Sequence, residues 1–222
     1  MPTKIEKLTK LFEANRNEQE AEPMKKYLKN HFSFLGIKSP IRKELEKEFF
    51  KETGMLKEPL DQEFIIELWE KDEREYQYSA LTYLEKSLKK LQKEDLALME
   101  RLVLEKSWWD TVDAIAAKPV GKIAEKFPEI IEEVIDCWAV HDNMWLRRTA
   151  ILFQLKYKEK TDEERLYGYI KSNSGSKEFF IQKAIGWALR EYSKTNPASV
   201  KQFINENSLA PLSVREGSKY VD

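Results

Sequence analysis

The run Ser107-Trp108-Trp109-Asp110-Thr111-Val112-Asp113 places indoles and carboxylates at helical spacing. Trp109 and Asp113 are four residues apart, so in a helix their side chains are neighbours on one face. Burying a ring in a core needs no carboxylate beside it. A cationic, ring-shaped substrate uses both, because the indole face attracts positive charge and the carboxylate stabilises a cation developing next to it. Ser107, with Asp110 three residues on, is expected to open this helix as a capping box. Two further segments put tryptophan near charge. One runs from Asp142 to Gln154 and holds Trp145, Arg147 and Arg148; the other runs from Lys177 to Tyr192 and holds Lys183, Trp187 and Arg190. Taken singly, each segment also reads as core tryptophan with surface or structurally paired cations.

Other chemistries find little support in the sequence. Cys137 and His141 share a ligand spacing, but His31 is the only other histidine, so no metal dependence is expected. Cys137 stands among Val134, Ile135 and Trp138 and is expected to be buried core rather than a nucleophile. There is no glycine-rich phosphate loop and no nucleophile elbow. The carboxylate pairs Glu132-Glu133 and Glu163-Glu164 read as solvated helix faces.

The elements that must position these residues are helices. Apolar residues recur at helical spacing through almost every segment, and no strand or hairpin pattern is found. Helices are expected over 4–15, 20–30, 39–54, 61–71, 73–90, 94–106, 108–117, 119–126, 128–140, 142–157, 161–172 and 177–194, with two more opening at Asn196 and Ser213. Ser39-Pro40 and Asn196-Pro197 set proline in the first turn, while Pro119 and Pro128 are expected breaks. Asp142 is an expected cap, and Asp72…Glu75, Thr161…Glu164 and Ser213…Glu216 are expected capping boxes. Helices of this length joined by short turns suggest an all-α fold, an α-solenoid of antiparallel HEAT-like helix pairs with a concave face able to hold a large ligand. A compact helical bundle is the structural alternative. No low-complexity linker divides the chain, so 1–222 is expected to form a single domain.

Composition agrees. Of 222 residues, 41% are hydrophobic, enough for a core, and the seven Gly and eight Pro are too few for a loop-rich all-β protein. A single Cys excludes an internal disulfide and fits a reducing compartment, the cytoplasm. Residues 1–7 carry no apolar run, so no signal peptide is expected, and no apolar stretch is long enough to span a membrane. The net charge of −1 hides a segregation. Residues 1–60 carry 13 basic and 10 acidic residues, 61–140 carry 11 and 19, and 141–222 carry 14 and 10. Basic ends flanking an acidic middle permit a basic face on a near-neutral protein, although salt-laced solvated helices fit the same counts.

Together the motifs resemble the AlkD-like DNA alkylation repair glycosylases, which are built from HEAT-like repeats. The similar stretches are Ser-Trp-Trp-Asp-Thr-Val-Asp at 107–113, Trp-Leu-Arg-Arg-Thr-Ala-Ile-Leu-Phe-Gln at 145–154, and 177–192 with its Ile-Gly-Trp. Residues 22–30 and Phe34-Leu35-Gly36-Ile37 match near the N-terminus, and Leu209-Ala210-Pro211-Leu212-Ser213 matches near the C-terminus. The resemblance implies a monomeric, cytoplasmic, nucleoid-associated enzyme of base excision repair, needing no metal or organic cofactor. It implies that the enzyme hydrolyses the N-glycosidic bond of positively charged N-alkylpurines in double-stranded DNA without flipping the base. Asp113, Trp109 and Trp187 then become the catalytic set, and Arg148 would hold a backbone phosphate. Tyr27, Lys38, Arg147, Lys156, Lys183 and Arg190 are the further DNA-binding candidates, with Lys38 standing where relatives can have an uncharged polar residue. The competing expectation is a non-catalytic HEAT-type scaffold. It gains nothing from a carboxylate in a cleft that receives a polyanion.

Overall fold

The computed structural model describes residues 2–221, whose regular elements are all helices, with one isolated β-bridge, Ser33 to Glu73, and no strand among them. None of the described helices is long and apolar enough to cross a membrane. The helices gather into two compact units, the first ending at Lys90 and the second beginning at Leu91.

The first unit holds α1 (Lys4–Glu13), α2 (Glu18–Tyr27), α3 (Ser39–Thr53), α4 (Gln62–Glu70) and α5 (Arg74–Lys86). Thr3 and Glu6 form a capping box at α1, and Asn17 and Asp61 cap α2 and α4. Phe49 stacks on Phe64 and Phe50 on Tyr83, joining α3, α4 and α5 through rings. The Asp72…Glu75 capping box expected at α5 does not form, and Glu73 takes the N-cap position without a side-chain cap. Glu75 is instead fully buried and accepts backbone N–H bonds from Leu35, Gly36 and Ile37 at 3.0, 2.8 and 3.0 Å. It satisfies three donors that an inward-folded loop would otherwise leave unpaired. Gly36 is required there, because its φ is +85° and a Cβ would stand 1.9 Å from the Asn17 carbonyl oxygen.

The second unit holds α6 (Asp95–Leu104), α7 (Trp109–Ile115), α8 (Gly121–Lys126), α9 (Asp136–Trp138), α10 (Met144–Leu152), α11 (Glu163–Asn173), α12 (Phe179–Tyr192), α13 (Pro197–Glu206) and α14 (Pro211–Gly217). Its centre is α10, which buries Trp145, Leu146, Arg148, Thr149, Ala150, Ile151 and Leu152 and packs against α6, α7, α11 and α12. A helix buried nearly all round must be apolar nearly all round, and Arg148 is the exception to be explained. Pro119 does not break the chain as expected. It lies in a π-helical turn, Ala116–Val120, that carries α7 directly into α8. A widened turn accommodates a residue without an N–H that a regular turn would reject.

Three other helix starts differ from expectation for one reason: the expected capping side chain has a different partner or a neighbour caps instead. Asn143 rather than Asp142 caps α10, accepting from the Trp145 N–H at 2.8 Å. Asp162 rather than Thr161 caps α11. α14 opens earlier than expected, at Pro211, and Ser213 Oγ donates to the Gln182 carbonyl oxygen at 2.8 Å, fastening α14 to α12. Cys137 is exposed, correcting its expected burial, because α9 turns Trp138 and Ala139 inward.

Candidate active site

The 107–113 run begins one residue later than the capping-box reading requires. Trp108 is the N-cap of α7, in extended conformation, and makes no side-chain cap. Ser107 Oγ donates instead to the Val103 carbonyl oxygen at 2.6 Å, closing the end of α6. Thr111 and Val112 are buried on the inner face of α7, which leaves Trp109 and Asp113 half-buried.

Asp113 meets Arg148 across the α7–α10 contact. Arg148 Nε donates to Asp113 Oδ1 at 2.6 Å and Nη2 donates to Oδ2 at 2.9 Å, a bidentate fork. Arg148 Nη1 donates to the carbonyl oxygen of Phe180 at the start of α12. One guanidinium thus bridges α7, α10 and α12. Arg148 is 4% exposed and the Asp113 side chain 14% exposed. Burial raises the Asp113 carboxyl above its ordinary value, against the hydrogen bonds and positive charge of Arg148, and Asp110 adds a smaller push in the same upward direction.

Beneath this pair lies an aromatic cluster. Trp108, Trp145 and Phe180 approach one another at 5.8, 5.0 and 5.1 Å between ring centroids, and the Arg148 guanidinium carbon lies 5.8 Å from the Phe180 ring centre. Phe180 thus sets an apolar wall beside the Arg148 guanidinium. Sequence reasoning singled out Trp145 and Phe180 only as members of their segments. The signal that unites them is tertiary. Trp109 on α7 and Trp187 on α12 are both half-buried, on helices that each pack against α10.

The remaining candidates occupy distinct places. Arg147, one residue before Arg148, turns the other way and donates to the His141 and Asp142 carbonyl oxygens at 2.7 and 3.0 Å, bracing the loop before α10. His141 Nδ1 accepts the Asn143 N–H at 2.9 Å. Lys156 is exposed in the segment after α10. Lys183 and Arg190 on α12 both approach Glu216 of α14, at 3.4 and 3.1 Å. In the first unit, Tyr27 is 70% exposed at the end of α2, and Lys38 pairs with Glu20 at 2.8 Å. Arg148 differs most from its expected role. The resemblance makes it a phosphate ligand, and in this structure it donates both bonds of its fork to the Asp113 carboxylate.

An all-helical fold of paired helices, carrying a buried acid–arginine pair bordered by aromatic rings, defines a class of helical-repeat proteins with a built polar site. The chain belongs to the family described as DNA alkylation repair enzymes, which it matches over residues 8–221. A solved structure described as "Predicted DNA alkylation repair enzyme from Enterococcus faecalis" is similar at 37% sequence identity and a TM-score of 0.85, covering 93% of this chain and 96% of that one. A Streptococcus mutans UA159 protein, smu.31, shares the fold at a TM-score of 0.58 and 20% identity, covering 82% of this chain and 98% of that one. No curated protein matches the chain. The fold is therefore all-α, of the α-solenoid class of helix pairs.

Proposed function

We propose that this protein is a DNA glycosylase that hydrolyses the N-glycosidic bond of positively charged N-alkylpurines in duplex DNA and leaves an abasic site. One observation carries the reading: a largely desolvated carboxylate, Asp113, held in fixed orientation by the Arg148 fork, on a helix whose neighbouring position is Trp109.

The substrate already carries its leaving-group charge. As the C1′–N bond breaks, the bonding electrons pass to the base and neutralise it, and positive charge builds on the deoxyribose. No acid is needed to protonate the base. Asp113 stabilises the sugar cation and receives the proton of the water whose oxygen bonds to C1′. Trp109 and Trp187 present π faces to the cationic sugar and base. Arg148 is a positioning residue that keeps both Asp113 oxygens fixed. Phosphate contacts fall to the exposed Lys156 and the partly exposed Lys183 and Arg190, with Arg147, and in the first unit to Tyr27 and Lys38. Family membership and the desolvated acid support this reading over a scaffold, since a carboxylate repels a polyanion that is merely bound.

The test is release of N7-methylguanine from duplex DNA in EDTA by the parent and by Asp113→Asn. Loss of a preorganised electrostatic partner costs on the order of 3 kcal/mol, so release should slow by about a hundredfold while duplex binding is retained. Duplex binding with no release by either protein would replace the enzyme with the scaffold, and an equal rate in the mutant would remove Asp113 from the reaction.

A further inference from the structure

The Glu216 carboxylate gathers four cations from α12, α14 and the turn after α14. Lys183 Nζ lies 3.4 Å from Oε1, and Arg190 Nη1 donates to Oε2 at 3.1 Å. Arg215 Nη2 lies 4.0 Å from Oε1, and Lys219 Nζ lies 2.9 Å from Oε2. The backbone fixes this carboxylate from below. A Cβ on Gly186 would stand 2.6 Å from Glu216 Cβ, so α12 and α14 approach closely at that residue. Lys219 first, then Lys183, hold the carboxyl at about 2, well below its ordinary value.

Closing α14 onto α12 requires one ion pair, not four. Like charges collected about one carboxylate repel each other, and four cations with one anion leave a local charge of +3. They are also accessible: the Arg215 side chain is 73% exposed, and those of Lys183 and Lys219 are partly exposed. The arrangement suits a second, multiply charged anion laid over the first. Its place on the helix says which anion. Lys183, Gly186, Trp187 and Arg190 stand at i, i+3, i+4 and i+7 of α12, one continuous stripe, so the cluster borders the proposed catalytic indole.

We propose that Lys183, Arg190, Arg215 and Lys219, ordered around Glu216, form a phosphate-binding surface that grips the duplex backbone beside Trp187. The inference rests on the DNA-repair reading above and extends it to α14, with Arg215 and Lys219 as ligands and Glu216 as the positioning residue. The cations are pre-ordered by Glu216, so less side-chain freedom is lost when phosphate arrives.

The experiment measures duplex affinity against salt, with single-turnover base release at saturating enzyme, for the parent and two double variants. Arg215→Gln/Lys219→Gln removes the α14 half of the cluster. Lys122→Gln/Lys160→Gln removes two cations that surround a different carboxylate, Glu125, and serves as the charge-matched control. The expected result is that the first variant lowers the log–log salt slope by about 1 for each cation removed. It should weaken binding to all sequences alike and leave the saturated rate unchanged, while the control retains the parent slope. An unchanged slope in the first variant, or an equal loss in the control, would overturn the surface while leaving the glycosylase reading intact. A parent that binds no duplex would overturn both.

Discussion

Asp113 is ionised in the proposed reaction, and its surroundings pull in two directions. Burial raises the carboxyl from its ordinary value of 3.8 and the Arg148 fork opposes the rise. A raised carboxyl is protonated at a higher pH than a free one, so activity that needs its charge is lost as pH falls through the raised value. The acid limb of kcat/KM, which reports the free enzyme, should therefore lie above 3.8. Arg148→Lys isolates the opposing force. Lysine keeps the charge but cannot make two parallel bonds, so the opposing force weakens and the desolvation remains. The limb should move further up and the rate fall, with duplex affinity close to that of the parent. A uniform loss of affinity with the limb unmoved would instead return Arg148 to the phosphate-holding role first expected of it. The residues of this pair were legible in the sequence, but the pair itself was not. Asp113 and Arg148 are 35 positions apart, and nothing in local spacing says that α10 will turn Arg148 inward and Arg147 outward.

At the scale of elements, Gly186 sets how closely α14 lies on α12. An alanine there would place its Cβ 2.6 Å from Glu216 Cβ and 3.1 Å from the Ser213 carbonyl oxygen, atoms that move only with their backbone. Alanine's better helix propensity returns about 1 kcal/mol, and overpacking typically costs about 1–3 kcal/mol. With contacts this short the overlap dominates, so Gly186→Ala should lower the melting temperature; a raised one would show that the interface has room. The helices themselves were readable because apolar periodicity reports directly which face is buried. Their first residues were less so. The hydroxyl and carboxylate side chains at Ser107, Glu75 and Ser213 satisfy the capping pattern, yet each takes a partner other than the expected cap. Local pattern fixes what a side chain can bond, and packing decides which of the available groups reaches it first. The same limit hid the second role of Lys183 and Arg190, whose common partner Glu216 looked from the sequence like half of a capping box.

At the scale of the whole molecule, net charge taken alone argues against DNA. Residues 1–90 carry 18 basic and 18 acidic residues, and residues 91–222 carry 20 and 21, so neither unit is basic in sum. A field set by net charge would offer a polyanion nothing. Screening changes the accounting. At about 0.1 M salt the Debye length is about 10 Å, so a phosphate feels the cations it touches and little of the distant acidic surface. A near-neutral protein can then bind DNA through local clusters, provided each contact releases a counterion. With four or more phosphate contacts at about 0.9 each, the plot of log affinity against log salt should have a slope of about −3.6 or steeper. That slope should be the same for undamaged duplexes of different sequence, since phosphates carry no sequence information. Binding that ignored salt would mean that affinity comes from apolar insertion at the lesion. The cations of α12 and α14 would then be no more than the solvated helix faces that the composition alone allows.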